Sequence, residues 1–293
     1  MEPLRVISLR IPEQKVLEDG TVFPLVLAPA PGQRDGAVNT RALERWIAGN
    51  RPFLAESLLR HGAILFRGFG LSSPQDFCTT VEATGMGNIP YIGGAAVRHN
   101  IVKDRVYTTN ESPPQEPIPF HHEMAQTPNP PTHIFFFCDV EPPKGGETPI
   151  ILSHRVYDNM RKNFPEFTKK VEKIGVKYRR VMPDQDDESS AIGRSWRSTF
   201  LTQDKSEAEE RMRDIGTTWT WRVHQINLYL STRSLIIYYP FISLPRTTVM
   251  WRPSPRPYLL SASTNVLAKR PFSTVWLLPT LGGSIVETTL LRR

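Results

Sequence analysis

Two cysteines, Cys78 and Cys138, are all the thiol chemistry that the 293 residues offer, and they stand 60 positions apart. That excludes a disulfide framework and a thiolate metal cluster, and it makes a reducing, cytoplasmic setting the expectation. No basic stretch followed by an apolar run opens the sequence, so no secretory leader is read. No apolar run is long enough for a bilayer; the longest, around Leu235–Leu244, is interrupted by Pro240. Internal repeats are missing as well. Asp is absent from positions 222–293, and Gly occurs there only twice. Tight turns use those two residue types, so this last stretch is organised unlike the chain before it.

What it contains instead is basic and hydroxylated. Positions 222–293 hold eight Arg and one Lys against the single acid Glu287, and 35 of the 72 residues are Ser, Thr, Leu or Pro. Positions 1–221 carry 27 basic and 28 acidic residues, so the whole-chain charge of +7 belongs to the last quarter. A division into 1–221 and an atypical basic tail, 222–293, is expected. The same composition fits a shifted reading frame or retained intron, which an in-frame, normally spliced message would exclude. The tail's Arg residues are scattered, without a nucleic-acid-binding motif or an amphipathic helix, so neither nucleic acid nor membrane is an expected partner.

Positions 1–221 read as an α+β arrangement, a β-rich core with peripheral helices. Leu43, Trp46 and Ile47 sit at helical spacing within Thr40–Arg60, with a break at Arg51-Pro52. Ser73-Pro74 starts a helix that Gly85 stops. Ser153 is read as the cap of a helix over His154–Asn163, Phe164–Lys173 continues it after Pro165, and Asp204–Ile215 is helical up to Gly216. Strands are expected at Ala63–Phe66, Val106–Thr109 and His133–Val140, with Phe135-Phe136-Phe137 as core. After a turn at Pro142–Gly146, Thr148–Leu152 is expected to be extended.

The most informative positions are Phe120-His121-His122-Glu123. On an extended strand, side chains two apart share a face, so His121 and Glu123 would converge while His122 points away. An imidazole and a carboxylate so placed are two of the three ligands in the 2-His-1-carboxylate set that holds non-haem Fe(II). The alternative is a pair on a surface strand.

Four ordered segments extend this signal: His61-Gly62-Ala63-Ile64-Leu65-Phe66-Arg67-Gly68-Phe69, Tyr107-Thr108-Thr109-Asn110-Glu111, Phe120–Gln126 and Gly145-Gly146-Glu147-Thr148-Pro149. Over roughly residues 20–221 the chain resembles the taurine dioxygenase-like (TauD/TfdA) oxygenases, and in particular their plant clavaminate synthase-like branch, which carries Glu in the metal motif. The resemblance implies a double-stranded β-helix (jelly roll), incomplete here at its C-terminal end, with Fe(II) as metal and 2-oxoglutarate as co-substrate. It implies His121 and Glu123 as iron ligands, Thr148 as a hydroxyl donor to 2-oxoglutarate, and Asn110 near a small-molecule substrate. Thr148 could equally start a strand, and Asn110 could close a turn.

Family members add a second iron His on a late strand, preceded by a Gly-Asp turn and followed by an Arg for the far carboxylate of 2-oxoglutarate. After Trp221 none of that pattern stands. His224 is the sole His beyond position 154, and Arg233 follows it by nine residues. An odd separation on one strand puts the two side chains on opposite faces, which argues against His224 as the third ligand. The expected function is an Fe(II)/2-oxoglutarate dioxygenase of doubtful activity, the alternative a catalytically inactive relative that keeps part of the scaffold.

Overall fold

The computed structural model describes residues 3–33, 36–109, 118, 120–127, 130–140, 148–190, 193–222, 225–232 and 274–279. The elements run β1 (Val6–Leu9), β2 (Lys15–Val16), β3 (Val22–Phe23), β4 (Leu25–Pro29), α1 (Thr40–Gly49), α2 (Arg51–His61), β5 (Ile64–Arg67), α3 (Pro74–Ala83), β6 (Asn100–Val102), β7 (Val106–Tyr107) and β8 (His133–Phe137). They continue with α4 (Ser153–Asn163), α5 (Pro165–Ile174), β9 (Val176–Pro183), α6 (Trp196–Phe200), α7 (Lys205–Asp214), β10 (Thr218–Arg222), β11 (Gln225–Thr232) and β12 (Thr274–Pro279). The fold is α+β.

Local chemistry explains the helix limits. Asn39, Ser73 and Asp204 each turn a side-chain oxygen onto the backbone N–H three residues on, satisfying a donor that the first helical turn leaves open. Pro165 opens α5, where its missing N–H costs nothing. The expected Ser153 cap is corrected: Ser153 is the first helical residue, and Leu152 precedes it without a side-chain cap. Gly62 ends α2 at φ 73°, and a Cβ there would stand 2.2 Å from Leu152 Cδ2, so both backbone conformation and space require glycine.

A five-stranded sheet, ordered β1-β4-β5-β12-β8, forms the larger layer. Only β4 and β5 run parallel, and the α1–α2 pair supplies the long crossover that a parallel pair needs. Alternation divides the sheet's faces. Leu25, Leu27, Ile64 and Phe66 pack with Leu43, Ile47, Leu54 and Phe77 of the helices; Val26, Ala63, Leu65 and Phe136 pack with Phe23 and Leu152 on the other side. Of the Phe135–Phe137 run only Phe136 is buried, its neighbours being half-buried against the helix-side core. The expected strand at Val106–Thr109 is limited to β7, and Thr148–Leu152 forms no strand among the described residues.

A three-stranded antiparallel sheet, β10-β11-β9, forms the second layer. Met182 and Ile226 from its strands pack with Trp196, Phe200, Ala208 and Met212 of α6 and α7. The β10–β11 hairpin carries the chain across positions 221–222. Among the described residues neither sheet closes on itself, and no helix is long and apolar enough to cross a membrane.

Two outcomes follow for stability. Phe66 is 1% exposed and packs edge-on against Trp46 and at a tilt against Phe69, so Phe66→Ala should cost about 3–5 kcal/mol in denaturant unfolding. Ile101→Ala, on an exposed strand, should change stability by less than about 0.5 kcal/mol. A chain ended after Thr232 loses β12 and leaves β5 and β8 unpaired along the edges β12 covers. It should self-associate in light scattering; a monomer with an unchanged unfolding midpoint would show that this pairing contributes nothing.

Candidate metal centre

His121 is half-buried and makes an isolated bridge, and the backbone then leaves the extended conformation. Glu123 opens a turn through Gln126, in which Met124 is held at φ 53°. The expected strand from 120 to 123 is therefore corrected: any convergence of His121 and Glu123 comes from a turn, not from strand alternation. A buried Met in the left-handed region is costly for a side chain of that size. It persists here because neighbours fix the turn on both sides. The Thr127 N–H and hydroxyl donate to the Met124 carbonyl, at 2.8 Å each, and Gln126 Nε2 donates to the Gly93 carbonyl at 3.0 Å.

Glu123 is 8% exposed, and Arg98 Nη2 donates to its Oε2 at 3.1 Å. Both side chains of this ion pair are 10% exposed. A carboxylate this deep stays charged only with a compensating partner, and the Arg98 guanidinium is that partner. Arg98 also lies 5.1 Å from the centroid of the Tyr91 ring and donates to the Thr108 carbonyl at 3.4 Å. Burial pushes the Tyr91 phenol up, with Arg98 and Arg194 pulling the other way and Glu123 adding to the rise.

Behind Tyr91 stand two more arginines. Arg194 lies 4.7 Å from the Tyr91 ring and donates to the carbonyls of Tyr91, at 2.8 Å, and Ser198, at 2.5 Å. Arg180 donates to the carbonyls of Gly94, Ala95 and Arg194. These guanidinium groups supply donors to a loop that no strand pairs. Burial lowers the Arg180 pKa to about 10 and lowers that of Arg194 too; both remain cationic at neutral pH. A Cβ at Gly94 would fall 2.1–2.6 Å from the Tyr91 ring, so glycine permits the approach.

The sequence reading missed Arg98, Tyr91, Gly93 and Gln126. The Tyr91-Ile92-Gly93-Gly94 run, a paired glycine beside an aromatic, was the available signal for close backbone approach. Of the remaining expected residues, Thr148 is half-buried ahead of α4. Asn110, His224 and Arg233 lie outside the described residues, as does the Gly145-Gly146-Glu147 turn. The donor types suit a ferrous ion, an imidazole nitrogen and a buried carboxylate oxygen. Their number falls short: among the described residues no three His, Cys, Asp or Glu side chains are grouped to hold a metal.

His122 is half-buried, and its shielded Nε2 makes no hydrogen bond. Burial, with a further push from His121, lowers its pKa from 6.5 to about 4. Between those values the unfolded chain takes up a proton that the folded chain does not, so stability falls as pH drops from 6.5 toward 4. The contribution reaches roughly 3 kcal/mol. His61, His133 and His154 are lowered in the same direction. His122→Gln should flatten part of this acid slope in unfolding measured from pH 7 to 4; an unaltered slope would remove His122 as a cause.

The sequence matches the family described as "Taurine catabolism dioxygenase TauD, TfdA family" over residues 24–253. It is 46% identical over 222 residues to a clavaminate synthase-like protein of Arabidopsis thaliana, covering 75% of this chain and 67% of that protein. It is 31% identical over 155 residues to a dapdiamide synthesis protein of Enterobacter agglomerans, covering 53% of this chain and 44% of that one. The family match takes in the Glu123 turn, the Arg98 loop and the strands from β4 to β11. The chain belongs to the TauD/TfdA family.

Proposed function

We propose that this chain is an Fe(II)/2-oxoglutarate-dependent dioxygenase that oxidises a small molecule, with His121 and Glu123 as metal ligands. The observation that carries the reading is the buried, arginine-held carboxylate of Glu123 two residues from a half-buried imidazole, in a chain of this family. The double-stranded β-helix belongs to the same proposal, with the five-stranded and three-stranded sheets as its parts; the family match continues past the composition break at 221–222 to residue 253.

Each residue has a defined task. His121 is assigned to the metal through an imidazole nitrogen and Glu123 through its carboxylate, whose Oε2 Arg98 engages. Thr148 is assigned to a carboxylate of 2-oxoglutarate through its hydroxyl, and Asn110, outside the described residues, is assigned to the substrate by the family resemblance. His122, kept neutral by burial, adds no positive charge beside the cation site. A bound ferrous ion would supply the redox chemistry that couples oxidative decarboxylation of 2-oxoglutarate to substrate oxidation. The protein's share is to bind, orient and shield.

A second reading, a catalytically inactive relative, is favoured by the sequence of positions 222–293, which lacks the Gly-Asp turn that precedes the family's second iron His. Two protein donors hold a cation less firmly than three. Purified protein should therefore bind Fe(II) weakly, lose that binding in His121→Ala, and release succinate from 2-oxoglutarate slowly. Metal binding with no succinate release would favour the inactive reading. Rapid release that His121→Ala abolishes and His224→Ala leaves intact would place the third ligand elsewhere in the chain.

A further inference from the structure

We propose that Arg98 is the positioning residue for the Glu123 carboxylate, its guanidinium holding Oε2 and so fixing the direction from which that carboxylate meets a divalent cation. The inference rests on the metal-site reading above and extends it to a residue in a different loop, 25 positions upstream.

The geometry separates this role from that of an ordinary ion pair. Exposed ion pairs leave both side chains free to wander and contribute little. Here both partners are 10% exposed, and the arginine is immobilised from several directions. Its guanidinium lies over the Tyr91 ring and reaches the Thr108 carbonyl. Tyr91 is itself fixed, by Arg194 over its ring and by the Ala96 N–H, which donates to its hydroxyl at 3.3 Å. Gln126 ties the Glu123 turn to the same loop through Gly93. The carboxylate is thus registered against the three-stranded layer through a continuous series of contacts, Arg194 to Tyr91 to Arg98 to Glu123. Groups that hydrogen-bond a ligating carboxylate set its orientation, and their loss typically costs 10–100-fold in metal affinity. Arg suits the task better than Lys, because a planar guanidinium can stack on an aromatic ring while donating from its edge.

The test uses Co(II) alone as probe, with calorimetry for affinity and visible absorption for ligand geometry, on the full chain. Arg98→Gln should weaken Co(II) binding by roughly 10–100-fold and change the absorption spectrum, and Arg98→Lys should weaken it by about tenfold. The order wild type, Lys, Gln is the expected one, with circular dichroism melting to confirm folding. Should Arg98→Gln fail to fold, Arg98→Lys decides: wild-type affinity with a wild-type spectrum overturns the proposal. Co(II) binding that His121→Ala abolishes but both Arg98 variants leave unchanged refutes the positioning role alone. No Co(II) binding by the wild-type chain refutes the metal-site reading and this role together.

Discussion

A carboxylate buried in a protein must be compensated, and the compensation of Glu123 by Arg98 organises this molecule's centre. Removing one member of such a pair strands a charge in a low-dielectric interior at a cost of about 3–5 kcal/mol, which exceeds the worth of most surface contacts. The pairing joins two segments that have no regular structure of their own, the 91–98 loop and the 123–126 turn. The left-handed Met124 shows the same dependence, since its strain is sustained by Thr127 and Gln126.

Cations are needed there for a second reason. A loop that crosses between layers leaves carbonyls with no strand partner, and an unsatisfied buried carbonyl costs about 1–3 kcal/mol. Arg180 and Arg194 answer that need with several donors each, and Tyr91 lets two guanidinium groups approach one ring. Acting as carbonyl clamps and ring partners, three arginines tolerate a shared interior. Carboxylates share that interior with them, Glu123 paired with Arg98 and Asp186 acting on Arg180 and Arg194.

The helices were largely legible because their signals are local. Asn39, Ser73 and Asp204 cap through their own side chains, Pro165 and Gly62 act through their own backbone angles, and Leu43 with Ile47 marks a buried face by spacing alone. Strands were legible only where apolar residues concentrate, as in β5 and β8. The short β1 to β4 segments and the β9–β11 sheet went unread. Their pairing partners lie far away in sequence, or across a hairpin whose residues carry no turn signature. The position of β12 between β5 and β8 is of the same kind: it joins residues 274–279 to strands more than 130 positions earlier.

Sequence alone determined the family, most of the helices, the two cysteines' isolation and the identity of His121 and Glu123 as the donors to watch, since each of these is written in residue types and short spacings. The tertiary structure decided that Glu123 lies in a turn and not on a strand. It also decided that Arg98 holds that residue, that Tyr91 packs against Arg98, and that Arg194 packs against Tyr91. Those contacts span 7 to 103 positions of chain. Their energy comes from burial and from charges meeting in a dry interior, conditions that exist only after the layers have packed.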